Sequence, residues 1–131
     1  MSLNPSYANN ILNHLFSKET WTAPTSVYVS AHTGNPGTTG ANEHGSTGSY
    51  SRATTTSSDW ASASSGSISN VDPITFPSAT QNYTAKITHF GLWTAKTGGT
   101  FIGAGALTSG ITITTGDDLL FDVGSISISL T

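Results

Sequence analysis

The sequence predicts a mainly β protein: an antiparallel β-sandwich or jelly-roll-like barrel with one N-terminal α-helix. Three observations carry that expectation. About eight short apolar stretches, bounded by Gly, Pro, Asn and Asp, recur between residues 26 and 131. The run Ile87–Leu107 has the form of a β-hairpin, with Ile87–Ala95 and Phe101–Leu107 flanking the turn Lys96-Thr97-Gly98-Gly99. Only the first residues show helical periodicity. The 131 residues fit one domain large enough to bury a core, with a helix over 4–17, a β-sandwich over 26–131 and a long loop arm over 33–48.

The helix starts where Asn4 can cap it and Pro5 can occupy the first helical position, where a missing N–H costs nothing. Tyr7, Ile11, Leu12, Leu15 and Phe16 then form one apolar stripe. An isolated helix of this length is marginal in water, so the stripe is expected to dock on its own sheet or in a neighbour's interface. Ser26–His32 is the first strand, with Val27, Val29 and Ala31 on one face. The arm that follows, TGNPGTTGANEHGSTG, has no apolar periodicity and is long for a loop inside a compact domain, which marks it as an interaction arm.

Tyr50–Thr56 is a Thr-rich strand, and Asp59–Ser69 a Ser/Ala crossing anchored by Trp60. Ile74-Thr75-Phe76 lies between Pro73 and Pro77, which places it at an edge or bend. In the hairpin, strict alternation puts Phe90 and Leu92 on one face and Ile87 and Trp93 on the other. Both faces are therefore expected to be covered, one by a second sheet and one by a helix or another subunit. Ile111 and Ile113 alternate with Thr112 and Thr114, and Gly116-Asp117-Asp118 turns into Leu119–Phe121. The last strand sets Ile126, Ile128 and Leu130 against Ser125, Ser127 and Ser129.

Composition narrows the function. Charged residues make up 8% of the chain, and Ser and Thr together about a third. A surface of that kind suits packing against copies of the same chain, because few charges must be desolvated. The net charge is −3, and the four basic residues Lys18, Arg52, Lys86 and Lys96 are scattered, which argues against nucleic-acid binding. No apolar stretch approaches the roughly 20 residues of a membrane-spanning helix, and no charged segment followed by an apolar run opens the chain. No membrane partner is expected, and synthesis and assembly are expected in the cytoplasm. The absence of cysteine removes disulfides and Cys-based zinc sites.

No residue pattern points to catalysis or to a cofactor. His32, Glu43 and His44 are of the types that bind zinc, but their spacing matches no ligand pattern, and a loop histidine beside a Glu is ordinarily solvated. Asp117, Asp118 and Asp122 lack the dense register of a calcium loop, and Asp117-Asp118 reads as turn chemistry. There is no G-x-S-x-G nucleophile elbow. Trp21, Trp60 and Trp93 are assigned to core or interface ahead of a sugar platform.

A resemblance runs nearly end to end. Tyr7–Phe16 resembles an opening helix of the form Y-x-x-N-x-[IL]-L-[DN]-H, and Tyr28-Val29-Ser30 with Asn35-Pro36 is similar to a Y-V-[GS]-L-x-T-x-[DN]-P motif, with His32 where Leu is usual. Glu43 with Gly48-Ser49-Tyr50-Ser51-Arg52 resembles E-x-x-G-x-G-Y-x-R. Asn70 with Ile74–Pro77 resembles N-x-x-x-I-x-F-P, and the block Ile87–Thr108 with a Gly-Asp turn completes the order. These motifs resemble a family of small bacteriophage virion proteins labelled tail-fibre or decoration proteins. The resemblance implies a non-enzymatic virion component on the capsid surface or tail. With no repetitive shaft and a loop arm to clamp subunits, the expectation is a capsid decoration or cement protein, with a tail-fibre or neck component that binds host-surface glycan as the alternative. The expected partners are copies of itself, as a homotrimer, and the major capsid protein or other virion proteins. The expected interface residues are Tyr7, Ile11 and Leu15 on the helix, and Asn35, Pro36, Glu43 and His44 on the arm.

Overall fold

A computed structural model of the chain describes residues 2–45 and 47–130; Met1, Thr131 and Ser46 of the arm lie outside the described residues. The elements in chain order are β1 (Ser2–Leu3), α1 (Pro5–Leu15), β2 (Tyr28–His32), β3 (Ala53–Thr54), a short 3₁₀ turn (Ser57–Asp59), β4 (Ser67–Ser69), β5 (Ile74–Thr75), β6 (Ile87–Trp93), β7 (Phe101–Ile111), β8 (Leu120–Phe121) and β9 (Ser127–Ser129). The protein is mainly β, with antiparallel sheets and one N-terminal helix, as the sequence predicts. One sheet has five strands in the order β1-β7-β6-β2-β3, and two two-stranded ribbons, β4-β9 and β5-β8, form the rest.

Asn4 both starts α1 and fastens it. Its side-chain oxygen accepts the Ser6 N–H at 2.9 Å, its amide nitrogen donates to the Phe101 carbonyl at 2.8 Å, and its backbone N–H donates to the Ile102 carbonyl. The cap thus satisfies an open helix N–H and pins the helix start to β7. The apolar stripe beyond it does not dock as a unit. Tyr7 is buried, edge-on to Trp21, and Ile11 is half-buried, whereas Leu12, Leu15 and Phe16 are exposed.

The main core lies between one face of the large sheet and the ribbons. Val29, Ala31, Ala53, Phe90 and Leu92 contribute from the sheet; Ile74, Phe76, Leu119, Phe121 and Ile126 pack from across it. The second layer is two ribbons rather than a continuous sheet. β5 is confined by Pro73 and Pro77, neither of which can donate to a ladder, so it makes only the pairs Ile74↔Phe121 and Thr75↔Leu120. Ile126, just before β9, is buried and Ile128 within it half-buried, but Leu130, expected on the same inward stripe, is exposed.

The hairpin forms as predicted, with Gly98 and Gly99 at φ +64° and +73° in its turn. One face assignment needs correcting: Ile87 packs in the core with Phe90 and Leu92, not beside Trp93. The ladder shifts register between Ile87 and His89, and such a bulge reverses the side-chain alternation that strict period-two reading assumes. The strand expected over Tyr50–Thr56 contracts to Ala53–Thr54, with side-chain bonds reinforcing its flanks. The Tyr50 hydroxyl accepts the Ala31 N–H at 2.9 Å, and Thr55 Oγ1 donates to the Val27 carbonyl at 2.7 Å.

Candidate functional site

The second face of the large sheet carries the polar chemistry of the chain. Cross-strand pairs set Tyr28 opposite Trp93, Ser30 opposite Gly91 and His32 opposite His89, on the face away from the main core. Within the subunit, the arm itself covers this face around His32 and Trp93. Glu43 bridges back to His32, the His44 N–H donates to the Ala31 carbonyl, and the Thr33 N–H donates to the Asn42 carbonyl. The turn inside the arm is closed by the N–H groups of Gly40 and Ala41 on the Pro36 carbonyl.

Glycine at two positions permits this close packing. A Cβ on Gly40, whose φ is +80°, would stand 2.5 Å from the Trp93 ring, so the arm's backbone lies directly on the indole. A Cβ on Gly91 would stand 2.5 Å from Ser30 Oγ and 2.6 Å from His32 Nε2, so only Gly leaves room for those side chains.

A directional hydrogen-bond chain runs under the arm. Trp93 Nε1 donates to Ser30 Oγ at 2.9 Å, Ser30 Oγ lies 2.7 Å from His32 Nε2, and His32 Nδ1 lies 2.7 Å from the Ala41 carbonyl. A carbonyl only accepts, so Nδ1 carries the proton and Nε2 accepts from the Ser30 hydroxyl. Burial is the main cause that lowers the His32 pKa and keeps the ring neutral; the Ala41 carbonyl and Glu43 pull the other way, while Arg52 and His89 add to the lowering.

Beside this chain, Arg52 clasps the arm to the hairpin turn. Its Nε and Nη2 make a two-pronged pair with Glu43, at 2.9 and 2.8 Å. Its Nη1 donates to the carbonyls of Ala95 and Gly98, at 3.0 and 2.8 Å, and its guanidinium stacks 3.7 Å over the Trp93 ring. Tyr50 donates to Glu43 at 3.1 Å, and burial pushes its phenol pKa well above the usual tyrosine value. Charge-assisted, planar and two-pronged contacts of this kind favour Arg over Lys.

The expected interface residues divide sharply by exposure. Leu15 and Asn35 are exposed, and Ile11 is half-buried. Tyr7 and Pro36 are buried, Glu43 is taken up by Arg52, and His44 is buried, stacked on Tyr83 at 3.8 Å and edge-on to Tyr50. The arm is therefore a folded part of the subunit, not the apolar-poor extension that its composition suggests. Two of the three zinc-type residues are otherwise engaged, since both ring nitrogens of His32 and both carboxylate oxygens of Glu43 have protein partners, whereas His44 Nε2 is buried without a hydrogen-bond partner. Asp117 is turn chemistry, accepting from the Thr114 N–H and hydroxyl, and these bonds lower its pKa. No group of three or more potential metal-ligating side chains occurs among the described residues. None of their helices is long and apolar enough to cross a membrane.

Reading the residues one at a time missed Ser30, Tyr50 and Arg52. A signal for two of them was present, because the motif spanning Glu43 and Gly48–Arg52 holds Glu, Tyr and Arg at the spacing the clasp uses. Apart from the clasp and the hydrogen-bond chain, which fix the arm, the described surface includes apolar features such as the exposed end of α1 and a groove beside Trp60. No curated protein matches the chain. The family model described as podophage GP4 fiber I protein gp80 matches residues 3–129, nearly the whole chain, so the protein belongs to that family of phage fibre proteins, structural components of the virion.

Proposed function

We propose that the protein is a non-catalytic building block of a phage tail fibre, assembled from copies of itself and fixed to the tail through other virion proteins. The family match over residues 3–129 is the observation that carries this reading. The expectation of capsid decoration drew on the lack of a repetitive shaft and on a free arm able to clamp neighbouring capsid subunits. With Glu43, His44 and Pro36 folded into the subunit, the second of these no longer supports it. A subunit whose arm is clasped internally suits a role as a rigid unit that docks through its remaining exposed apolar surface.

Self-assembly, with a homotrimer as the expected state, draws on the low charge of the chain and on the exposed part of the α1 stripe, Leu15 with Ile11 at its margin. Asn35 at the exposed tip of the arm is the remaining expected contact; Tyr7, Pro36, Glu43 and His44 would act by holding these surfaces in place. Copy number tests the assignment. Densitometry of purified particles is expected to give a few to a few dozen copies, as tail symmetry dictates. A band comparable to the major capsid protein would overturn the fibre reading in favour of decoration.

A further inference from the structure

Beside the clasp, between the arm and the hairpin turn, lies a polar pocket whose bonding capacity the chain does not use up. It holds about 270 Å³, and its walls include Glu43 and His44 from the arm, Ser51 and Arg52 before β3, and Lys96 and Thr97 from the turn. Arg52 places Nε and one Nη2 hydrogen on Glu43 and its Nη1 hydrogens on the carbonyls of Ala95 and Gly98. Its remaining Nη2 hydrogen has no partner among the described residues. Lys96 is exposed and forms no ion pair among them. His44 is only 8% exposed, yet its Nε2 is buried with no hydrogen-bond partner. Buried polar atoms are ordinarily bonded, so this one marks a place where something besides the chain completes the bonding. We propose that the pocket binds a hydroxyl-bearing carboxylate, the chemistry of a sugar acid, with the carboxylate on Lys96 and the spare Arg52 hydrogen and the hydroxyls on Ser51, Thr97 and His44.

Charge, bonding type and size each narrow the ligand. Glu43 and Arg52 cancel each other, so Lys96 leaves the pocket with a single net positive charge, which a monoanion complements. A dianion such as phosphate would set its second charge beside the Glu43 carboxylate. Burial lowers the His44 pKa, so its ring is neutral near pH 7, with one donor and one acceptor nitrogen. Neutral imidazole and the Ser51 and Thr97 hydroxyls pair with groups that both donate and accept, as ligand hydroxyls do and the chain of an apolar acid does not. The volume is just under the roughly 300–1,000 Å³ of sites for drug-sized ligands, which suits one sugar unit. Arg52 and Glu43 are already fixed by the clasp, so binding need not order them. With so few contacts to one small unit, a Kd of roughly 1 mM is expected.

Every group in this site comes from one subunit, so the inference goes beyond the fibre reading and does not depend on it. The test is titration of the full chain with sodium glucuronate, followed by amide and imidazole NMR at physiological ionic strength. Saturable shifts are expected at Ser51, Lys96, Thr97 and the His44 ring, with glucose and inorganic phosphate each about tenfold weaker or more. Lys96→Met, in an exposed turn outside the clasp, is expected to weaken glucuronate about tenfold while the rest of the spectrum is unchanged. A glucuronic-acid oligosaccharide distinguishes the source of the ligand: its binding assigns the pocket to an acid unit within a chain, and binding of glucuronate alone assigns it to a free sugar acid. No saturation at about fifty times the expected Kd would overturn the site. Glucose or phosphate binding as tightly as glucuronate, or Lys96→Met binding it unchanged, would overturn the proposed ligand chemistry. None of these outcomes touches particle copy number, which decides the fibre reading by itself.

Discussion

Removing the Arg52 side chain should cost the protein a large part of its stability, and the structure sets the size of the loss. The Arg52 side chain is 9% exposed and that of Glu43 22% exposed. Arg52→Ala strips Glu43 of its cation, frees the carbonyls of Ala95 and Gly98, and uncovers the Trp93 face. Breaking a buried ion pair from one side costs about 3–5 kcal/mol, because a desolvated charge is left behind. Glu43 reaches some water, so the lower end applies, about 3 kcal/mol, a fair share of the 5–15 kcal/mol that holds a domain together. For a chain of this length, that corresponds to a fall in Tm of roughly 10–15 °C. Scanning calorimetry measures it directly. The double variant Glu43→Gln/Arg52→Met is expected to be less destabilised than the sum of its singles, since no charge is left unpaired. An Arg52→Ala variant that melts within about 2 °C of the parent, or strictly additive singles, would refute the clasp.

Three further outcomes follow from the same face of the sheet. Gly91→Ala places a Cβ between the Ser30 hydroxyl and the His32 ring, both fully buried, and should destabilise by about 1–3 kcal/mol in urea titrations. Stability should fall on acidification. The folded-state pKa of His32 lies below its unfolded value, so its contribution is complete above about pH 6.5 and is lost as pH drops from there towards the folded pKa. Urea midpoints at pH 7.5, 6.5 and 5.5 check this, with His32→Gln expected to flatten the profile. Replacing residues 33–45 by a short Gly/Ser linker should broaden or abolish the cooperative unfolding transition, because it removes Pro36, Glu43 and the cover over Trp93 together. A sharp transition at the parent temperature would mean that the arm is only a loop.

How far the sequence reached depended on whether a residue's partners were local. The Asn4 cap, the Gly98-Gly99 turn and the Pro-bounded β5 each follow from chemistry within a few positions, and each is where the sequence puts it. The stripe is helical as its spacing states, but within the subunit only Tyr7 is buried and Ile11 half-buried, since periodicity states that a face is apolar and not what covers it. Ile87 was misassigned because a register shift is set by pairing across strands, which alternation along one strand does not encode.

The arm shows the same limit at the site. Thr33–Gly48 has the composition of a mobile loop, yet residues 33–45 are held largely by partners outside the arm: Arg52 just before β3, the Trp93 ring under Gly40, and the imidazole of His32 on the Ala41 carbonyl. Glu43 and His44 were singled out as surface groups because a charge and an imidazole in a polar segment are ordinarily solvated. What reverses that expectation is the opposite charge nine residues on, brought into register only when β2 and β3 pair. The buried pair adds little net stability over an apolar substitute. Its two-pronged geometry, with Tyr50 and the hairpin carbonyls attached, instead fixes one position for the arm. For the self-assembling fibre subunit proposed above, that specificity gives the outer surface one shape, and the ion pair acts as a positioning device for it.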